Sequence, residues 1–356
     1  MATPSSVPLD PFLLQLMELR GTDLHVTAGS PPLVRVDGDL RRLDNHSVFT
    51  PEDVQELIHS FLSPELEARY LAARTLDLSF NWQNQARFRV NLFFQRGSMA
   101  MALRLIPYDI PTFEELGLPG ICNDLVRLHQ GLILMTGPTG SGKSTTLASM
   151  IGWINANRPL HILTIEDPLE YVHRHKMGIV NQREVGEDAD SFAGALRSAL
   201  REDPDVLLIG EMRDLETIQT GLTIAETGHL VFATLHTNDT AQAIDRIVDV
   251  FPSERQTQVR VQLASVLEAV IYQRLIPAIG GGRVAAFEVL NANTPIRNLI
   301  REGRTRQIRN VILTGQQDGM QTLEMSLNNL VERGLITYED AMSRSGFPKE
   351  IIEPAP

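Results

Sequence analysis

Gly137-Pro138-Thr139-Gly140-Ser141-Gly142-Lys143-Ser144-Thr145 lies between an apolar run, Leu132 to Thr136, and a segment that reads as a helix starting near Lys143. Gly137, Gly142, Lys143 and Ser144 meet the spacing G-x-x-x-x-G-K-[ST], and a strand before the loop with a helix after it is the context that spacing requires. The chemistry calls for these residue types. Glycines at 137, 140 and 142 let backbone N–H groups turn inward around phosphate oxygens, and the helix N-terminus adds partial positive charge. Lys143 reaches the β- and γ-phosphates, while the Ser144 hydroxyl is placed for Mg²⁺. The ligands implied are ATP and Mg²⁺.

Downstream, apolar runs at His161 to Ile165, Val206 to Ile209, Leu230 to Leu235 and Val284 to Val289 alternate with helical segments. Continuous apolar strands separated by helices predict a parallel sheet covered on both faces, an open α/β fold with its ligand at the carboxyl ends of the strands. Three of those ends carry polar groups: Glu166-Asp167-Pro168-Leu169-Glu170, then Gly210-Glu211-Met212-Arg213-Asp214, then His236-Thr237. A carboxylate so placed can hold Mg²⁺ or orient an attacking water, and a histidine can contact the γ-phosphate. The tail 321–346 reads as helical with a break at Gly334.

Upstream the pattern differs. Residues 11–20 read as an amphipathic helix ending at Gly21. Short alternating runs follow at Leu24 to Val26, Leu33 to Val36, Leu76 to Phe80 and Phe88 to Phe94, with a helix from Pro51 capped by Thr50. This predicts a small α+β domain over 1–106. Residues 107–119 carry Pro107, Pro111 and Pro119 and read as a linker, leaving 120–356 as the α/β domain.

The chain has 356 residues, 43% hydrophobic and 21% charged, enough for a sizeable core. Its 32 Lys and Arg against 44 Asp and Glu give a net charge of −12. That field repels phosphate backbones and argues against nucleic acid as a partner, as does the lack of an aromatic-basic stretch. The one cysteine, Cys122, reads as a small core residue and excludes a four-cysteine zinc module. The first residues lack the basic and apolar regions of a signal peptide. No apolar run approaches the roughly 18–20 residues that span a bilayer. The expectation is a cytoplasmic protein that docks on a membrane protein.

Three longer stretches carry a resemblance: Ile165 to Glu170, Leu208 to Asp214, and Thr227 to Thr237. They are similar to the Asp box, atypical Walker B and His box of the secretion and type IV pilus ATPases, with Glu211 where the usual Walker aspartate would stand. Gly21 to Pro32 and Arg87 to Asn91 extend the likeness over nearly the whole chain. Within that superfamily it most resembles the pilus retraction ATPases. The resemblance implies an N-terminal PAS-like domain, a RecA-like ATPase domain, a homo-hexamer, and arginines acting between subunits, matched here by Arg89, Arg104 and Arg201. It implies that Glu166 and Glu211 share water activation and Mg²⁺ binding; the assignment adopted is Glu166 to water and Glu211, with Ser144, to Mg²⁺, a division the sequence leaves open. His229 and His236 enter as the His-box histidines. The implied partner is an inner-membrane pilus platform protein, at which the ATPase works peripherally, removing pilin subunits from the pilus base to drive twitching motility.

Assembly ATPases of the superfamily typically carry the zinc module that one cysteine cannot build. Ile296 to Glu302 resembles a retraction-type segment, with Pro295 where an alanine usually precedes it. Arg297, Arg301, Arg304, Arg306 and Arg309 form a basic cluster that reads as a solvated helix face, with a docking surface for an acidic partner as the alternative. Rival functions are an accessory pilus ATPase paralogue, a pilus assembly or type II secretion ATPase, a hexameric nucleic-acid translocase, and a nucleotide-dependent scaffold without turnover.

Overall fold

The computed structural model describes residues 9–36, 38–43, 46–83 and 85–353. The chain divides into two units, Met1–Tyr108 and Asp109–Pro356.

In the first unit, α1 (Asp10–Glu18) precedes β1 (Asp23–Thr27), β2 (Leu33–Val36) and β3 (Asp39–Arg42). Then come α2 (Pro51–His59), α3 (Pro64–Ala73), β4 (Thr75–Trp82), β5 (Ala86–Gln95) and β6 (Ser98–Ile106). Thr50 caps α2 through a reciprocal capping box with Asp53, as the Thr-Pro-Glu-Asp run dictates. The strands form one antiparallel sheet in the order β3-β2-β1-β6-β5-β4. Alternation sends Leu24, Val26, Val34, Phe88, Val90, Leu92 and Leu103 into a core with Leu13, Leu16, Val54, Ile58 and Tyr70. The opposite face is polar. Its register sets Ser79, Arg89, Arg104, Asp23 and Arg35 in one row across five strands.

The second unit begins with two short helices, α4 (Phe113–Leu116) and α5 (Cys122–Leu125). The stretch 107–119 is therefore more than a connector. Thr112 and Glu115 form a capping box at α4, and Phe113 and Leu118 pack into the second unit's core. After β7 (Gly131–Thr136) and α6 (Lys143–Asn157) follow β8 (His161–Glu166), β9 (Ile179–Glu184), α7 (Phe192–Ala199), β10 (Val206–Ile209) and α8 (Leu215–Glu226). Next are β11 (Leu230–Leu235), α9 (Thr240–Asp249), α10 (Ser253–Val266), β12 (Leu267–Pro277) and β13 (Arg283–Asn291). Helices α11 (Thr294–Glu302), α12 (Ile308–Thr314), α13 (Leu323–Glu332) and α14 (Tyr338–Arg344) close the chain.

The sheet order is β13-β12-β7-β11-β10-β8-β9. From β12 to β9 the strands are parallel; β13, expected as one more parallel strand, runs antiparallel at the edge because it returns directly from β12. Every residue of β7, β10 and β11 is buried, since helices cover both faces. One layer gathers α7 to α12 and the other gathers α4 to α6. Cys122 is buried in the second, and burial pushes its thiol up to about 12. Among the described residues no helix is long and apolar enough to cross a membrane.

The basic cluster resolves into separate jobs. Arg297 donates to the carbonyls of Ala264 and Ser265 at the end of α10 and pairs with Glu268 at 3.0 Å. Arg309 pairs with Glu324 at 3.2 Å and Glu350 at 2.6 Å, under the Phe347 ring. Two of the cluster's guanidiniums are thus spent on internal contacts, whereas Arg304 is surface-exposed beside Glu302. Glu324 is a buried hub: besides Arg309 it accepts the Ser345 hydroxyl and the N–H groups of Gly346 and Phe347. Glu324→Ala leaves the half-buried Arg309 with Glu350 alone and takes the acceptor from the Ser345 hydroxyl and the Gly346 N–H, so it should cost on the order of 2 kcal/mol. Arg304→Ala should stay within about 0.5 kcal/mol of wild type. Chemical denaturation of both variants checks the contrast.

Candidate active site

The phosphate loop is held open by contacts that exclude side chains. A Cβ on Gly137, whose φ is +145°, would lie 2.3 Å from the Gln273 carbonyl oxygen of β12. One on Gly142, at φ +89°, would meet the Gln273 amide nitrogen at 2.7 Å. Gln273 is itself buried and accepts the Thr146 hydroxyl at 2.8 Å, joining β12 to the first turn of α6. Lys143 Nζ donates to the carbonyls of Gly137 at 2.8 Å and Pro138 at 3.0 Å, closing the loop on itself. Burial holds the Lys143 ammonium below its ordinary value, opposed by the charge of Glu211. The Ser141 hydroxyl is buried with no hydrogen-bond partner, a donor of the kind a phosphate oxygen satisfies. Pro138, Thr139, Gly140 and Ser144 line the exposed side.

Beside the loop stand the ends of three parallel neighbours. Glu166 closes β8, Glu211 follows β10 by two residues, and His236 follows β11 directly. Glu166 shares a cavity of about 30 Å³ with Ser144, Glu170, Tyr171, His173 and Thr234. Burial pushes its carboxyl up to about 7, against hydrogen bonds from Thr164, Gln182 and the Glu170 N–H. Burial also drives His173 down to about 4, so that this imidazole is neutral. Glu211 behaves oppositely. Burial raises its carboxyl, but the Arg213 hydrogen bond at 2.5 Å and the nearby His236 and Arg213 charges outweigh it and keep it low. His236 Nε2 lies 3.4 Å from the same carboxylate. Two carboxylates on one strand edge are therefore tuned apart, one near neutrality and one firmly ionised.

The oxygen donors Ser144 and Glu211 suit a hard cation such as Mg²⁺. The Thr136 and Thr237 hydroxyls lie 2.6 Å apart and tie the last residue of β7 to the residue after His236, a contact the sequence did not show. Gln273 and Gln182 were missed as well, because β12 and β9 were not read as strands.

Two expected residues of the second unit lie elsewhere in it. His229 precedes β11 and His236 follows it, so the six-residue strand separates them by about 20 Å. The His229 ring contacts the Ile224 carbonyl and the Thr227 hydroxyl, and it takes no part in this strand-end cluster. Arg201 sits between α7 and β10, at the amino-terminal edge of the sheet, donating to the Arg197 carbonyl. Arg89 and Arg104 are cross-strand neighbours on the first unit's polar face, and Arg104 Nε holds Asp23 at 2.8 Å. Asp23 is kept ionised by Arg104 and Thr22 despite its burial.

A family described as "Type II/IV secretion system protein" matches residues 35–280. A relative named as the type IV pilus retraction ATPase PilT, from Pseudomonas aeruginosa, is 50% identical over 92% of this chain and 95% of its own length. A twitching motility protein of Neisseria gonorrhoeae is 48% identical over 92% of this chain and 89% of its own. The crystal structure of a pilus retraction motor PilT with bound ADP superposes with a TM-score of 0.89 at 52% identity, covering 96% of this chain and 97% of that one.

Gly137→Ala drives a Cβ into a backbone carbonyl and should weaken ADP binding at least about tenfold by isothermal titration. A carboxyl titrating at about 7 is protonated, and lost as a base, on the acid side. ATP turnover that depends on Glu166 as a base should therefore rise with pH up to about 7 and level off above it. A profile flat between about pH 6 and 8 would contradict that role.

Proposed function

The chain belongs to the type II/IV secretion system protein family, and on that premise we propose that it is an ATP-hydrolysing motor that powers type IV pilus retraction. The observation that carries the proposal is the gathering of Lys143, Glu166, Glu211 and His236 at the carboxyl ends of neighbouring parallel strands. Likeness to pilus retraction ATPases over more than nine-tenths of both chains supports retraction as the direction of work.

Lys143 leaves the Gly137 and Pro138 carbonyls for the β- and γ-phosphates, and the Ser141 hydroxyl and loop N–H groups complete the cradle. Ser144 and Glu211 are the oxygen donors that would hold Mg²⁺, which would supply neutralisation of the phosphate charge. Glu166, the carboxylate tuned near neutrality, takes the proton of the attacking water, while Glu211, the ionised one, suits a cation. His236 contacts Glu211 at the same sheet edge and is the histidine assigned to the γ-phosphate. This keeps the division of roles adopted for the two glutamates from the sequence, which left it open, and supports it with an electrostatic reason.

The proposed assembly is a homo-hexamer in which the first unit is PAS-like and the second RecA-like. Arg89, Arg104 and Arg201 act on a neighbouring subunit's nucleotide. The exposed side chains of Arg104 and Arg201 suit that task. Closure around the triphosphate and its relaxation on product release would move an inner-membrane platform protein, at which this cytoplasmic motor works peripherally. The single buried cysteine supports retraction over assembly, since no four-thiolate zinc module can form.

The test pairs chemistry with phenotype. Lys143→Ala should reduce ATP turnover by at least about a hundredfold in a folded protein, and neither DNA nor RNA should stimulate the wild type. Deleting the gene in its host should give hyperpiliated cells that do not twitch. Bald cells would reassign the protein to assembly, and full turnover by Lys143→Ala would remove the site.

A further inference from the structure

Glu166 does not project alone from the end of β8. Thr164, two residues earlier and so on the same side of the strand, donates its hydroxyl to Glu166 Oε1 at 2.7 Å. Across the β8–β9 register Thr164 is paired with Gln182, whose Nε2 approaches that same oxygen at 3.4 Å. Gln182 is pinned at both ends of its amide. Its Nε2 also donates to the Tyr171 carbonyl at 2.9 Å, and its Oε1 accepts the His173 N–H at 2.7 Å. Tyr171 continues the connection, its hydroxyl lying 3.0 Å from Thr145 Oγ1 in the phosphate loop. A path of hydrogen bonds and covalent chain thus runs from the edge strand β9 through Glu166 and the 171–173 segment to the nucleotide loop.

We propose that Thr164 and Gln182 are positioning residues that fix the direction of the Glu166 carboxylate and lock it to the 171–173 segment beside the phosphate loop. A glutamate's terminal torsion is broad and roughly two-fold, so an unrestrained carboxylate samples many directions. Two donors converging on one oxygen select a single orientation and leave the group aimed before ATP arrives. Such pre-organisation is worth most at a base, where a displacement of about 1 Å can cost on the order of a hundredfold in rate. Thr164 is fully buried, so water does not replace its hydroxyl when it is removed. The function of Gln182 follows from its two-ended fit: an amide offers both the donor for Glu166 and the acceptor for His173, which neither a carboxylate nor an aliphatic side chain does.

The inference rests on the reading of Glu166 as the group that activates water, and the experiment separates the two. Steady-state ATPase kinetics and ADP titration are run on full-length wild type and on Glu166→Gln, Thr164→Val, Thr164→Ser and Gln182→Leu. Thr164→Val is nearly isosteric and removes only the hydroxyl; Thr164→Ser restores it. The expected result is Glu166→Gln without turnover, with Thr164→Val and Gln182→Leu each lower in kcat by about tenfold or more. KM and ADP affinity should stay within about twofold for both, and Thr164→Ser should recover most of the rate. If Glu166→Gln is inactive while Thr164→Val and Gln182→Leu turn over as wild type, the positioning role is wrong. It is equally overturned if their ADP affinity falls in step with kcat, which marks a general structural role. Turnover by Glu166→Gln would instead remove the underlying assignment of the base.

Discussion

Parallel pairing is the constraint on which the second unit depends. In a parallel sheet the residue that follows each strand is delivered to the same edge, whatever lies between the strands in sequence. With β7, β11, β10 and β8 side by side and parallel, the phosphate loop, His236, Glu211 and Glu166 share one edge although they span a hundred positions of chain. The fully buried β7, β10 and β11 bear that load: their apolar side chains hold the strands in register, and the polar groups are carried to their places. Hydroxyl pairs such as Thr136 with Thr237 then fix the spacing at the edge itself.

Much of this was legible because the chemistry of the loop and of buried strands is local. Gly137 to Thr145 and the apolar runs beside it declare their form without reference to distant residues. What escaped the reading has physical reasons. Strand β9, Ile-Val-Asn-Gln-Arg-Glu, is an edge strand whose polar residues are satisfied by β8 and by side chains far away, so neither alternation nor a continuous apolar run marks it. Strand β12 continues from α10 at Leu267 without an intervening turn residue, and no sequence signal divides them. Missing both strands hid Gln182 and Gln273. The His box shows the converse error: His229 and His236 belong to one motif, yet a strand lies between them, and only strand direction tells which end meets the nucleotide loop.

The two carboxylates illustrate how the fold separates residues of the same type. Glu166 is enclosed among neutral donors and a neutral His173, and it holds its proton to about 7. Glu211 faces Arg213 and His236 and stays ionised. No feature of the strings Ile-Glu-Asp-Pro and Gly-Glu-Met-Arg assigns these environments, apart from the arginine two residues after Glu211. The difference arises from what packs around each strand end.

The row of Arg89, Arg104, Asp23 and Arg35 across the first unit's sheet has an electrostatic corollary. One carboxylate stands among three guanidiniums, a local surplus of cations on a chain whose net charge is −12. At physiological ionic strength the Debye length is about 8 Å. Beyond that distance an approaching anion meets a screened, acidic molecule and gains nothing from the strip. Within it, the guanidiniums dominate. Such a surface does not collect phosphates by long-range attraction; it discriminates by contact, registering an anion only when another surface has already brought it close.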